Sequence, residues 1–383
     1  MEKYQSQENQ TNASSLFSSG FMNNKHSIKV HVLGNRKGII YRHTHPIRTH
    51  KYKLSELGIK TEFFYSFNDP RLKECDVLLF MEACFGELIK PGLEHTAFLE
   101  PFLSSFKRVI WFDDHDSSGM LRTYVFPMVD VYAKSQLLKN RAYYNEKHLT
   151  GVMHRDYVYE QHQLPDQNIF KGSVNENINK LKLGWNFALL DWQTWLSNRL
   201  IRKFRFYFPS YKNKILSTYP RLNERPVKVA YRVGMWHKIP TINWWRQRAL
   251  EELQVFSTAH PHFRIHLGGK LTMHDYFQEM RQTFVTPSPF GMGEICYRDF
   301  EAFLCGSLLL KPRMDHIETW PNLFVDGETY IAHNWDYSDF QDKLLDILSN
   351  PSKYEPIAIE GQRRFINSLE DGESFAAHFA AML

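Results

Sequence analysis

Short apolar runs, bounded by glycine or polar turn residues and separated by helix-length segments, recur along most of this chain. That rhythm limits the fold more than any single motif does. Ile28-Lys29-Val30-His31-Val32-Leu33-Gly34 alternates and then meets Asn35-Arg36-Lys37-Gly38, a strand and a loop. A helix ending at Gly58 is expected next, then strands at residues 61–65 and 76–80, a helix around 94–104 and a strand at 108–112. Strands apolar on both faces, alternating with helices, predict a parallel sheet wrapped by helices.

Between Asp166 and Arg225 the rhythm gives way to a long basic and aromatic stretch with no clear strand, and it resumes at Val227-Lys228-Val229-Ala230-Tyr231. Helices are expected near 244–256, 276–280, 297–305 and 338–348, and strands at 263–267, 283–286 and 307–311. The expected organisation is a floppy Gln-, Asn- and Ser-rich leader (1–27), a first Rossmann-like unit (28–165), a connector (166–225), and a second Rossmann-like unit with a closing helix (226–383). The fold class is α/β, two Rossmann-like domains facing a central cleft.

A length of 383 residues accommodates two such units, and 43% hydrophobic with 23% charged residues excludes disorder, collagen and coiled coil as the overall class. No stretch reaches the roughly 18 apolar residues of a spanning helix, and the N-terminus lacks the apolar core of a secretory signal. Cys75, Cys84, Cys296 and Cys305 lie far apart in apolar runs and read as reduced thiols of a cytoplasmic protein. A net charge of +5 favours anionic ligands without demanding nucleic acid.

The most specific segment is Ser288-Pro289-Phe290-Gly291-Met292-Gly293-Glu294-Ile295-Cys296, leading into Tyr297-Arg298-Asp299-Phe300-Glu301-Ala302-Phe303-Leu304. Glycines before a helix let backbone N–H groups approach a phosphate or sugar, and the helix start adds partial positive charge. Arg298 and Glu301 share a helix face, so a guanidinium can meet a diphosphate while a carboxylate takes sugar hydroxyls. The plainer alternative makes Phe300, Phe303 and Leu304 core and leaves the charges solvated.

With Glu301-Ala302, Gly306 and the tail from Glu318 to Tyr330, this segment resembles the donor-binding stretch of GT-B glycosyltransferases, in particular group 1 and family-90-like enzymes, over residues 226–350. The resemblance implies a nucleotide-sugar donor held by the second unit, with Gly293, Glu294, Arg298 and Glu301 among its contacts. Many retaining enzymes of this architecture place seven residues between two glutamates, whereas six lie between Glu294 and Glu301. That difference turns a helical side chain by about 100°, so the retaining mechanism is not carried over and Glu301 is preferred as the donor contact. In the resembling enzymes an Arg and a Lys neutralise the departing diphosphate, which points to Arg232 and Lys238 in the loop after the first strand of the second unit. Surface charge is the alternative for both.

Trp111-Phe112-Asp113-Asp114-His115-Asp116-Ser117-Ser118 ends a first-unit strand. Its carboxylates can hold a divalent metal, supply a general base to an acceptor hydroxyl, or cap a turn. The cation pair at the donor makes a metal redundant, so no metal is expected and Asp114 or Asp116 is the candidate base. His43 and Arg48, in a histidine-rich loop, are candidate acceptor contacts or solvated residues. The aromatic and basic run from Trp185 to Lys214 suits a membrane surface, single-stranded nucleic acid, or a core helix with snorkelling cations.

The resulting expectation is a metal-independent hexosyl- or pentosyltransferase, with no cofactor beyond its nucleotide-sugar substrate, acting on a glycan or lipid-linked glycan. It is placed in the cytoplasm, possible contact with the inner membrane face included, and without a nucleic-acid partner. The alternative is a non-catalytic nucleotide- or sugar-binding protein of the same fold.

Overall fold

A computed structural model describes residues 27–35, 43–82, 95–146, 150–164, 178–190, 192, 221–235 and 238–383. The leader up to residue 26, the loop residues 36–42, Cys84, Trp236, His237 and the basic aromatic run from 193 to 214 lie outside them.

The first unit carries strands β1 (Ile28–Leu33), β2 (Ile59–Phe64), β3 (Val77–Met81), β4 (Val109–Asp113), β5 (Val131–Lys134), β6 (Gln136–Leu138) and β7 (Leu181–Leu183). All but β6 form one parallel sheet in the order β2-β1-β3-β4-β5-β7. Its helices are α1 (His45–Thr49), α2 (Lys51–Glu56), α3 (His95–Leu103) and α4 (Met153–His162). β3 and β4 are buried throughout, as strands covered on both faces should be.

In the second unit β8 (Val227–Tyr231), α5 (Pro240–Ala259), β9 (Ile265–Leu267), α6 (Met273–Arg281), β10 (Thr283–Pro287), α7 (Tyr297–Leu304), β11 (Leu308–Pro312), β12 (Ile317–Thr319) and β13 (Ile331–His333) follow in sequence. The parallel sheet runs β13-β11-β10-β8-β9. The chain closes with α8 (Phe340–Ser349), α9 (Pro351–Glu370) and α10 (Gly372–Ala380). Each sheet places its first strand between its second and third, so strand order reverses beside β1 and beside β8. At such a switch point the connections leave to opposite faces and open a crevice at the carboxyl ends of the strands.

Two elements tie the units together. β6 and β12 pair antiparallel, Ile317 against Leu138. Helix α10, expected with the second unit, returns to the first, where Phe375, Ala376, Phe379 and Met382 join the core of Val30, Val32 and Leu79. The first expected helix is split, with His50 standing between α1 and α2. β7 falls in the stretch read as strandless, because a three-residue edge strand leaves too short a pattern to detect. Trp185 and Trp192 are both buried, which gives the start of the aromatic run to the core. No helix among the described residues is long and apolar enough to cross a membrane.

Candidate functional site

At the switch point of the second sheet, Ala230 of β8, Thr286 of β10, Tyr276, Glu279 and Met280 of α6, Arg232 and Arg298 line one small cavity. Arg232 turns away from solvent to Glu279, donating from Nε and Nη2 to the two carboxylate oxygens at 2.8 Å each. Its Nη1 donates to the carbonyls of Leu267 and Gly268. Its charge is therefore matched within the fold, and its hydrogen bonds hold the Glu279 carboxyl below the usual range. Lys238 is exposed on the same loop.

Arg298 enters from the first turn of α7. Its Nε is buried and has no hydrogen-bond partner among the described residues. One turn on, buried Glu301 accepts the Tyr276 hydroxyl at 2.8 Å. The expectation of core aromatics with solvated charges is half met: Phe300, Phe303 and Leu304 are buried, and so are Asp299 and Glu301. Asp299 accepts the Cys296 amide at 2.9 Å and pairs with buried Lys311 at 3.1 Å, fixing the start of α7.

Arg246, which no motif pointed to, lies beside Arg298. Its Nη1 donates to the Gly234 carbonyl at 2.5 Å and its Nη2 sits against Gly291. Burial lowers the Arg246 pKa, and the like charge of Arg298 lowers it further. The two guanidinium charges repel each other, and their summed field favours an anion nearby. The sequence signal was a charge within the 242-249-253 apolar stripe of α5, where Ile242, Ala249 and Leu253 are buried.

In the first unit, the end of β4 carries a dense ionic cluster. Asp113 accepts Lys134 Nζ at 2.9 Å and the Tyr132 hydroxyl at 2.6 Å, both buried. His115 Nδ1 lies 3.2 Å from both Asp113 and Glu82, and Arg122 Nε donates to Glu82 at 2.5 Å. Burial opposes the charges of Asp113 and His115, yet Lys134 and His115 hold Asp113 low, while hydrogen bonds to Asp113 and Glu82 raise His115 to about 9. Glu82, Asp113 and His115 bring ligand atoms within 4.8 Å of one another, as a metal site would. Their charges are already balanced by Arg122 and Lys134. Glu82 and Lys134, missed in the sequence, each stand at the end of an apolar strand, the signal that could have marked them.

Asp114 is buried, its Oδ2 has no partner among the described residues, and burial followed by the Glu82 charge raises its pKa to about 7. Asp116 is half-buried and raised for the same first reason. His43 is enclosed among Phe187, Phe112 and Trp185, and burial pushes its pKa down to about 3. Arg48 donates to Thr44 Oγ1 at 2.5 Å and lies 4.3 Å over the Phe63 ring.

The units meet where the glycine-rich loop touches the Asp114–Ser118 segment. A Cβ on Gly293 would overlap the Asp116 carbonyl. Glu294 is wholly buried there and accepts Ser118 N–H at 3.0 Å, Ser118 Oγ–H at 2.6 Å and Gln136 Nε2 at 3.2 Å.

The two sheets define an α/β protein of two Rossmann-like units. No family model and no curated protein sequence matches the chain. Among solved structures it is similar to HepE of Anabaena bound to UDP-glucose, at 11% identity and a TM-score of 0.45, over 93% of this chain and 100% of that one. An alpha-glucosyltransferase bound to UDP gives 11% and 0.44 over 93% and 100%. An alpha1,3-fucosyltransferase gives 10% and 0.43 over 93% and 90%.

Proposed function

We propose that this protein is a glycosyltransferase that moves a sugar from a nucleotide-sugar donor to a hydroxyl of a glycan or lipid-linked glycan without a bound metal. The observation that carries the reading is Arg298 at the switch-point crevice of the second unit, its buried Nε without a hydrogen-bond partner among the described residues; Arg246 adds its charge to that of Arg298. The guanidiniums would take the donor diphosphate, with exposed Lys238 closing over it and Glu301 contacting the sugar. Arg232, tied to Glu279, would shape the crevice and add its field to it. Gly293 brings the donor loop against the first unit.

Asp114, or Asp116 beside it, would take the proton of the acceptor hydroxyl as its oxygen attacks the anomeric carbon. The bond from that carbon to the diphosphate breaks, and the charge left on the leaving group develops beside Arg298. Acceptors would arrive over the loops of the first unit, where Arg48 keeps some surface and His43 is enclosed. The cytoplasmic face of a membrane is the natural place for a lipid-linked acceptor.

A thermal-shift screen over UDP, GDP, ADP, CMP and dTDP sugars, with and without EDTA, tests the reading. A stabilising donor that EDTA leaves unaffected, with sugar released in the presence of acceptor, is the expected result. Binding without any sugar release would favour a non-catalytic binding protein, and an absolute need for Mn or Mg would move the diphosphate away from the arginines.

A further inference from the structure

Glu294 was expected at the donor, but its surroundings assign it elsewhere. It sits on the second-unit loop, and the three hydrogen-bond donors to it, Ser118 N, Ser118 Oγ and Gln136 Nε2, all belong to the first unit. His154 Nδ1 stands 3.7 Å from it and His316 Nε2 4.0 Å. No edge of its carboxylate is open to a ligand, since the side chain is 0% exposed. Gln136 also donates to the Asp116 carbonyl, and that carbonyl fills the space a Cβ on Gly293 would need. The Tyr144 hydroxyl donates to the Ser118 carbonyl at 2.8 Å from the far side.

We infer that Glu294 is a positioning residue: its carboxylate clamps the Asp114–Ser118 segment of the first unit onto the donor loop of the second. The bare backbone of Gly293 lies on the same jaw as Glu294, and Ser118 with the Asp116 carbonyl forms the other. A buried carboxylate accepting a backbone N–H and a hydroxyl makes strong, directional bonds, because water is not there to compete. The clamp stands on these contacts alone; that it holds Asp114 in place for proton transfer rests on the glycosyltransferase reading.

Hydrogen exchange on the full-length, ligand-free protein tests the clamp. E294A, S118A and G293A break it from three directions, the last by steric overlap with the carboxylate intact. In each, exchange over residues 114–119 should rise by about tenfold or more, while the peptides of β1 and β8 keep their wild-type protection. E294Q, which keeps the volume and one acceptor oxygen, should fall between. The Asp114 carboxyl, followed by infrared difference against D114N, should titrate lower in S118A as the loosened segment admits water. Calorimetric affinities for UDP and GDP should stay within about twofold of wild type in S118A and E294A, since phosphate-binding charge is untouched. Unchanged exchange over 114–119 in the folded variants overturns the clamp, as does a loss of nucleotide affinity in E294A that S118A does not share. If E294A fails to fold, S118A and G293A decide. Wild type binding none of UDP, GDP, ADP, CMP and dTDP would sink the glycosyltransferase reading while the exchange result still judged the clamp.

Discussion

Asp114 and Glu294 are two buried carboxyls driven in opposite directions. Asp114 is raised to about 7 by burial and the Glu82 charge, so a base at this position is ionised only above that pH. Transfer activity should rise with pH through about 7 and level off, and D114N should lose about 100-fold or more in turnover while still binding nucleotide. The same shift has a stability sign. Between its unfolded value of 3.8 and about 7 the native state holds the proton more tightly, so stability contributed by this group falls as pH rises through that window. D114N should therefore melt higher than wild type at about pH 8 and differ little at about pH 4. Glu294 is the reverse case. Burial would raise it, but His154, His316 and Ser118 bring it from 4.5 down to about 2. It contributes about 3 kcal/mol at neutral pH that is lost as pH falls from 4.5 toward 2. Urea melts across that range should show a shallower acid loss in E294Q.

Helix α7 holds the donor candidates because α9 backs it. Gly361 of α9 lies so close that a Cβ would come 2.6 Å from the Thr329 carbonyl oxygen and 2.8 Å from the Phe303 ring. G361A should cost about 1–3 kcal/mol by pushing α9 off α7, read by chemical denaturation. K311M should cost more, about 3–5 kcal/mol, since it leaves Asp299 charged and buried at the start of the helix. At this scale the sequence was informative for long periodic elements. The strands 109–113 and 227–231 and the helices α5 and α7 fall where their apolar patterns put them, because each buries a face with the period of its own geometry. Short pieces such as β6, β7 and β12 carried no pattern, since pairing with a distant strand, not local propensity, makes them strands. The site divides likewise. Arg298 and Asp114 were visible as charges at element ends, and Glu301 by its three-residue spacing from Arg298 on one helix face. That Arg232 is tied to Glu279, 47 positions on, and that Glu294 faces Ser118, 176 positions back, follows only from tertiary contacts.

The whole molecule is held together by exchanges between its units: β6 with β12, Glu294 with Ser118, and α10 in the core of the first sheet. Removing residues 372–383 should expose Trp185 and Val32 and unfold the first unit, seen as loss of its exchange protection, even though the deletion lies at the opposite end of the sequence. Each sheet reverses its strand order beside its first strand, where a crevice is expected at the carboxyl ends; under the proposed reading the second unit would hold the leaving group there and the first would present a base. Everything functional in that layout depends on the arginine crevice taking a nucleoside diphosphate. Calorimetry of UDP and GDP against wild type and R298A, both in EDTA, measures this directly. The expected result is binding of one of the two by wild type and a loss of about 10- to 100-fold in R298A, the weight of a charge-assisted hydrogen bond or two. Equal affinity in the two proteins would contradict it.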